Sequence, residues 1–398
     1  MSHDQVTPGD GASERRRWEE TGPEELERLA RQRPEELLAA VERLCRGASG
    51  EGISGRPTVR TIGRIAEVLA DTRSRGCAAY AVDIVDRLLP PEVAASDERD
   101  RIRRSVAARL AKAQPFRNLE SFFEELPEAL HDPGAETRAC LLGELALLGA
   151  SAGVGPGRSR LRAYAERLRE LEHPLAWLPE IRLDIEHRFM VRVRGLGTVK
   201  TSQQLRSRFP EIPLSERGAV AGRVAVRVSD GGRTEAAARP FTAGGWARTP
   251  EVRFFSLPEP LDPGDFGMSF LEQLSLDCLR ADAGRRRGAA LACATTPDDV
   301  LNELFSAGYY GGVGGQGQGG AYARLYAWDS LYALMGLSAD VPLLTAVRVT
   351  ADHRWVRFMA FTPWFHHDTA DVAFAVLDPT RTRVAVLAAT DTDREGAD

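Results

Sequence analysis

Apolar residues recur at helical spacing from Thr21 to about Arg188, and then switch to every second position near Phe189. In the first stretch Ile62, Ile65, Val68 and Leu69 fall on one helical face, as do Leu161, Tyr164, Leu168 and Leu171. Helix starts are signalled by Pro23-Glu24-Glu25 and Pro34-Glu35-Glu36, which put proline in the first turn and acids at the positive end of the dipole. Further starts are predicted near Pro57, Ser74, Ser96, Arg117, Glu136, Arg158 and Leu175. Alternate starts recur at roughly 40 residues, the period of stacked helix pairs in a HEAT-like solenoid. No residue motif repeats with that period, so an irregular bundle is the other arrangement that fits.

Beyond Phe189 the pattern predicts strands at Phe189–Arg194, Arg223–Val228, Glu251–Leu257 and Ala289–Ala294. Ser229-Asp230-Gly231-Gly232 reads as a hairpin turn, and Met268–Leu279 as an amphipathic helix. Thr296-Pro297-Asp298-Asp299 opens another helix, to about Ala307. Four more strands follow at Leu344–Thr350, Arg354–Thr362, Asp371–Leu377 and Thr382–Ala389, joined by short turns into an antiparallel meander. The expected organisation is a disordered tail over residues 1–20, an all-helical solenoid-like or bundle domain over 21–188, and an α+β domain with a mainly antiparallel sheet over 189–398. The break at Gly195-Leu196-Gly197 marks the boundary.

One stretch departs from both patterns. Residues 311–320 hold seven glycines, and five of the seven tyrosines lie between Tyr309 and Tyr332. The segment after it, Ala321 to Met335, is apolar almost all round and ends at Gly336, a helix C-cap signal. A mobile glycine loop feeding a buried helix is a familiar way to present a binding loop. Tyr309, Tyr310, Gly314, Gly315, Gly317, Tyr322, Arg324 and Asp329 are therefore the candidate ligand-binding residues. Free amides at the helix start, with Arg324 in the first turn, would suit an anion. Against that, Arg324 can stack on Trp328 or pair with Asp329 or another acid. Asp329, the lone acid of the helix, needs a partner or an exposed position.

Composition narrows the chemistry. A net charge of −5 gives no pull toward nucleic acid or anionic membrane, and Lys112 and Lys200 are the only lysines. The five cysteines stand apart, without a C-x-x-C pair, and read as buried thiols in a reducing compartment. The polar N-terminus lacks the apolar core of a secretory signal, and Ala139–Val154 is too short to span a bilayer and is interrupted by Glu144. A cytoplasmic location is expected. Gly312-Val313-Gly314-Gly315-Gln316-Gly317 fits G-x-G-x-x-G, but a predicted helix precedes it where a dinucleotide fold needs a strand. His366-His367-Asp368 is the only histidine cluster, and its spacing matches no known ligand pattern. No catalytic residues, metal ligands or cofactors are assigned.

The segments FGMSFLEQLSLDCL and SAGYYGGVGGQGQGGAYARLYAWDSLYALMG resemble an uncharacterised domain-of-unknown-function family of high-GC actinobacteria, across the C-terminal half. That resemblance implies no activity. The expected function is that of a non-catalytic interaction protein, with a helical docking domain and a glycine–tyrosine loop. Its expected partner is another protein, with a small-molecule ligand possible and neither nucleic acid nor membrane involved. The alternative is an enzyme or small-ligand sensor with its site under the loop.

Overall fold

A computed structural model describes residues 10–48, 56–89, 96–132, 134–150, 156–190, 225–280, 290–315, 317–367 and 370–392. The chain divides into two compact units, Met1–Arg182 with Gly319–Ala321, and Leu183–Gln318 with Tyr322–Asp398. The first is helical and the second is α+β. No helix among the described residues is long and apolar enough to cross a membrane.

The helical unit begins earlier than the charge pattern implied. α1 (Asp10–Glu20) is a helix, where a disordered tail was expected over 1–20. The charge run ERRRWEE hides one anchor, because Trp18 is buried and α1 lies against α3 and α4. Residues 1–9 lie outside the described part. α2 (Pro23–Gln32), α3 (Pro34–Ala48), α4 (Arg56–Asp71) and α5 (Arg75–Asp83) follow, with Ser74 capping α5 by accepting from the Cys77 amide. A single π turn, Ile84–Leu88, extends α5. Then come α6 (Ser96–Ala113), α7 (Ala135–Leu147) and α8 (Pro156–Glu170).

α2, α4, α6 and α7 pack in succession, while α3 lies against α5 and α8 against a 3-10 turn. Side chains tie each pair to the next. Arg64 donates to the Thr21 carbonyl, Gln114 Nε2 to Ala70, and Arg167 Nε to Pro127, spans of 40 to 44 residues. Those bonds are the physical form of the roughly 40-residue period. The stacking is irregular at the third pair. The helix predicted from Arg117 is two 3-10 turns, Phe116–Asn118 and Glu120–Phe123, and the one from Leu175 is a single 3-10 turn, Pro174–Trp177. Pro174 and Pro179 leave too short a run between them for α-helix to propagate.

The second unit is built on six strands: β1 (Val226–Val228), β2 (Glu251–Ser256), β3 (Ala290–Ala294), β4 (Arg354–Ala360), β5 (Ala370–Leu377) and β6 (Arg383–Asp391). All pairings are antiparallel, in the order β1-β2-β6-β5-β4-β3. One face, with Phe255, Val386, Ala375 and Val356, packs on Leu261, Phe266, Phe270 and Leu271. On the other face α9 (Gly231–Ala243) lies against β2 and β6, and the Arg233 guanidinium sits 4.2 Å above the Phe254 ring.

Three expectations fail in this unit, each because a local signal had two meanings. Asp230-Gly231-Gly232 is not a hairpin turn. Asp230 caps α9 by accepting from the Arg233 amide, and an Asp-Gly pair serves an N-cap as well as a turn. Met268–Leu279 is not one helix. It is a single turn, α10 (Met268–Leu271), and a 3-10 turn, Asp277–Leu279, and it interrupts itself to let the Glu251 carboxylate accept from the Asp277 and Cys278 amides. Leu344–Thr350 is helical and not a strand. Of the helices α11 (Pro297–Tyr310), α12 (Gly319–Met335) and α13 (Leu343–Val349), the last carries the β-branched residues that suggested a strand, yet it buries Leu343 and Ala346 one turn apart. The predicted strand Phe189–Arg194 lies outside the described residues from Val191 on, as does the Gly195–Gly197 break. Phe189 itself is buried in a turn.

Candidate functional site

α11 delivers the glycine run as the sequence predicts, capped at Thr296 and ending three residues later than expected, at Tyr310. The run is not a free loop. The Gly312 amide donates to the Gly244 carbonyl, the Gly315 amide to Gly312, and the Gln318 amide to Gly308. Asp391, at the end of β6 and buried, accepts from the Val313 amide at 2.7 Å and from the Ala247 amide at 3.2 Å. A Cβ on Gly317 would collide with the Tyr309 carbonyl, one on Gly315 with the Gly244 carbonyl, and one on Gly312 with the Asp391 carboxylate. Gly314, by contrast, faces open space. The expected mobile loop is therefore a close-packed turn, and its glycines are there because backbone lies where side chains would be.

The candidate tyrosines and charges do not converge. Tyr309 stacks on Phe305 at 5.3 Å, which in turn stacks on Phe189 at 4.2 Å, and Tyr310 meets Tyr309 edge-on. Tyr310 is the exposed member, whereas Tyr322 is buried beside Tyr326. Arg324 and Asp329 are five residues apart on α12, so they point roughly 140° apart around the helix. Arg324 is buried and gives Nε and Nη2 to Glu186 at 2.7 and 2.9 Å. Trp328 Nε1 donates to the same carboxylate at 2.7 Å, and the Leu183 amide at 2.8 Å. Asp329 instead pairs with Arg239 at 2.8 Å, and Arg239 lies over the Tyr326 ring. Burial pushes the Asp329 carboxyl upward while the Arg239 guanidinium pulls it back.

The first turn of α12 belongs to the helical unit and explains the rest of the anion reading. The Ala321 amide donates to Glu144 Oε1 at 3.0 Å, and the Gly320 amide is also bonded to that carboxylate. Gly143 and Gly320 permit this approach, since a Cβ on Gly143 would lie 2.6 Å from that of Ala321. The helix start does hold a carboxyl group, and it is one the chain supplies itself.

Over residues 23–393 the chain matches the model of a family of unknown function (DUF6183). It belongs to the DUF6183 family. Membership spans both units, not the C-terminal half alone. No curated protein and no solved structure matches the chain.

The acids that organise this DUF6183 chain were the residues that sequence reasoning passed over. Glu186 falls in a 3-10 turn at the end of the helical stretch and Asp391 two residues beyond the predicted strand Thr382–Ala389, and only Glu144 carried a signal, as the acid inside an apolar run. The histidines have local partners. His366 donates its amide to Thr390, and His367 faces the Thr362 carbonyl with its ring stacked on Phe361. Asp368 lies outside the described residues. Among the described residues no group of three or more His, Cys, Asp or Glu side chains is arranged to hold a metal ion.

Glu144 gives a pH dependence of definite sign. Burial raises its pKa from 4.5 to about 7, against the opposing pull of the two amides. An acid whose folded pKa is raised binds its proton more tightly when folded. Its contribution is complete below about pH 4.5 and is lost as pH rises to about 7. Unfolding free energy should fall by up to about 3 kcal/mol across that window. Glu144→Gln should flatten that part of the curve, as measured by denaturant melts between these limits. An unchanged slope in the variant would remove Glu144 as the cause.

Proposed function

We infer that this chain is a non-catalytic interaction protein of the cytoplasm, and that its helical unit docks a segment of another protein. The supporting observation is a cleft of about 680 Å³ bounded by α2, the end of α4 and the start of α5. Ala30, Val68 and Cys77 form its apolar floor, and Glu27, Arg31, Asp71 and Arg73 stand at its rim. Stacked helix pairs characteristically present such surfaces. The volume lies within the range of specific binding sites. The floor is held shut below, because the Cys77 thiol donates to the Ala30 carbonyl at 3.4 Å and burial raises its pKa. That thiol is a packing group, so the cleft offers shape and mixed charge. A polypeptide segment with an apolar residue flanked by charges of both signs suits it best.

The test is a photo-crosslinking side chain at Arg31, on the rim, with Arg60 on the exposed side of α4 as control, in cells that produce the protein. One discrete protein adduct from position 31 is expected, absent from position 60 and lost when Arg73→Glu is added. No adduct, or equal adducts from both positions, would overturn the reading.

A further inference from the structure

A second cavity lies in the α+β unit, well away from the glycine turn. It faces residues 334–336 at the C-terminal end of α12, roughly 22 Å along the helix from Gly319. Its floor is a row of directly paired residues across four strands: Val228 on β1, Phe254 on β2, Ala385 on β6 and Val376 on β5. Side chains paired this way share one face of the sheet. Leu334 and Met335 form the roof. The volume is about 160 Å³. An apolar cavity of about 150 Å³ admits a benzene-sized body.

The charges at its mouth are arranged asymmetrically. Arg233 gives Nε and Nη2 to the Ala333 carbonyl, at 3.3 and 2.8 Å, and its Nη1 has no hydrogen bond among the described residues. That bond also places a cation at the negative end of α12, where it is favoured. Arg383 stands one pair along the floor, opposite Ser256, and bonds Asp378 through Nε alone at 3.2 Å. Its two terminal nitrogens have no partner among the described residues. The Asp378 carboxylate is already saturated by the Thr382 and Arg383 amides and the Thr380 hydroxyl. Asp230 approaches Arg233 Nε only at 4.0 Å. Burial depresses the Arg233 pKa, Asp230 opposes that, and the nearby Arg383 charge depresses it further. Two guanidiniums thus crowd an apolar cavity with donors to spare.

We propose that this cavity binds a small organic monocarboxylate of about one-ring size, with the apolar body on Ala385 and Val376 beneath Leu334, beside the guanidinium-covered Phe254 ring, and the carboxylate between Arg233 and Arg383. A cationic ligand would meet two like charges, and a neutral hydrocarbon would leave the donors unused. Guanidinium with carboxylate is the charge-assisted pairing that fits both. This site is independent of the cleft in the helical unit.

Benzoate is the probe, with benzyl alcohol and benzylamine as matched controls, titrated into the full chain and followed by calorimetry and backbone amide shifts. Benzoate should bind in the millimolar range or tighter, with shifts at Val228, Gly336 and Ala385. Benzyl alcohol should bind at least about tenfold more weakly, and benzylamine not measurably. Arg383→Met, at an exposed position that carries no core packing, should lower benzoate affinity by about tenfold with the melting temperature preserved. Absence of benzoate binding at millimolar concentration would overturn the proposal. So would equal affinity for the alcohol, or indifference to Arg383→Met.

Discussion

Glu186→Ala should destabilise the protein by about 3–5 kcal/mol, read as a shift in the midpoint of urea unfolding at constant slope. Glu186 and Arg324 are both buried, and the carboxylate accepts from Arg324 twice, from Trp328 and from the Leu183 amide. Its removal takes from the buried guanidinium the carboxylate to which it donates twice, and from the indole N–H its acceptor. Breaking a buried pair from one side costs far more than the pair itself contributes, because the surviving charge is not resolvated. The paired change Glu186→Leu with Arg324→Met should therefore recover much of the loss. A single-variant loss below about 1 kcal/mol would show that water reaches Arg324 and that the cluster is not the anchor of α12.

The second large effect belongs to the glycine turn. Gly317→Ala should cost about 3 kcal/mol or more, and Gly315→Ala a similar amount, because each new methyl meets a backbone carbonyl that cannot swing aside. Gly314→Ala should stay within about 0.5 kcal/mol of the parent, since nothing lies near that position. The contrast among three neighbouring glycines separates packing from flexibility. If all three substitutions were silent, the turn would be the loose loop that composition suggests, and the hydrogen bond from the Val313 amide to Asp391 would not be holding it.

What could be read from the chain was whatever rests on local physics. Helix starts at Pro23, Pro34 and Thr296 follow from caps and dipoles, and β4, β5 and β6 from short apolar runs bounded by turns. The C-cap at Gly336 adopts the left-handed conformation its position required. The misreadings arose where a distant partner chose between two local meanings. Asp230 could cap or turn, and α9 packing on the sheet selected the cap. The glycine run could be free or compressed, and Asp391, Gly244 and Trp246 compressed it. Arg324 announced a need for an acid, but nothing local pointed to Glu186, 138 residues away. Asp329 likewise found Arg239 on a helix whose existence the Asp-Gly-Gly signal had concealed.

The strand order has a consequence for how the molecule comes into being. β6 is the last of the six described strands in sequence order, yet it lies inside the sheet between β2 and β5. During synthesis the β2 edge that pairs with β6, Glu251 to Ser256, has no strand beside it until Arg383 to Ala388 leave the ribosome. Its apolar residues Val252, Phe254 and Phe255 must wait meanwhile, which is the situation in which nascent strands find wrong partners. A transcript truncated before β6 would not trim an edge. It would part β1 and β2 from β5, β4 and β3, leaving two fragments, neither with a complete core.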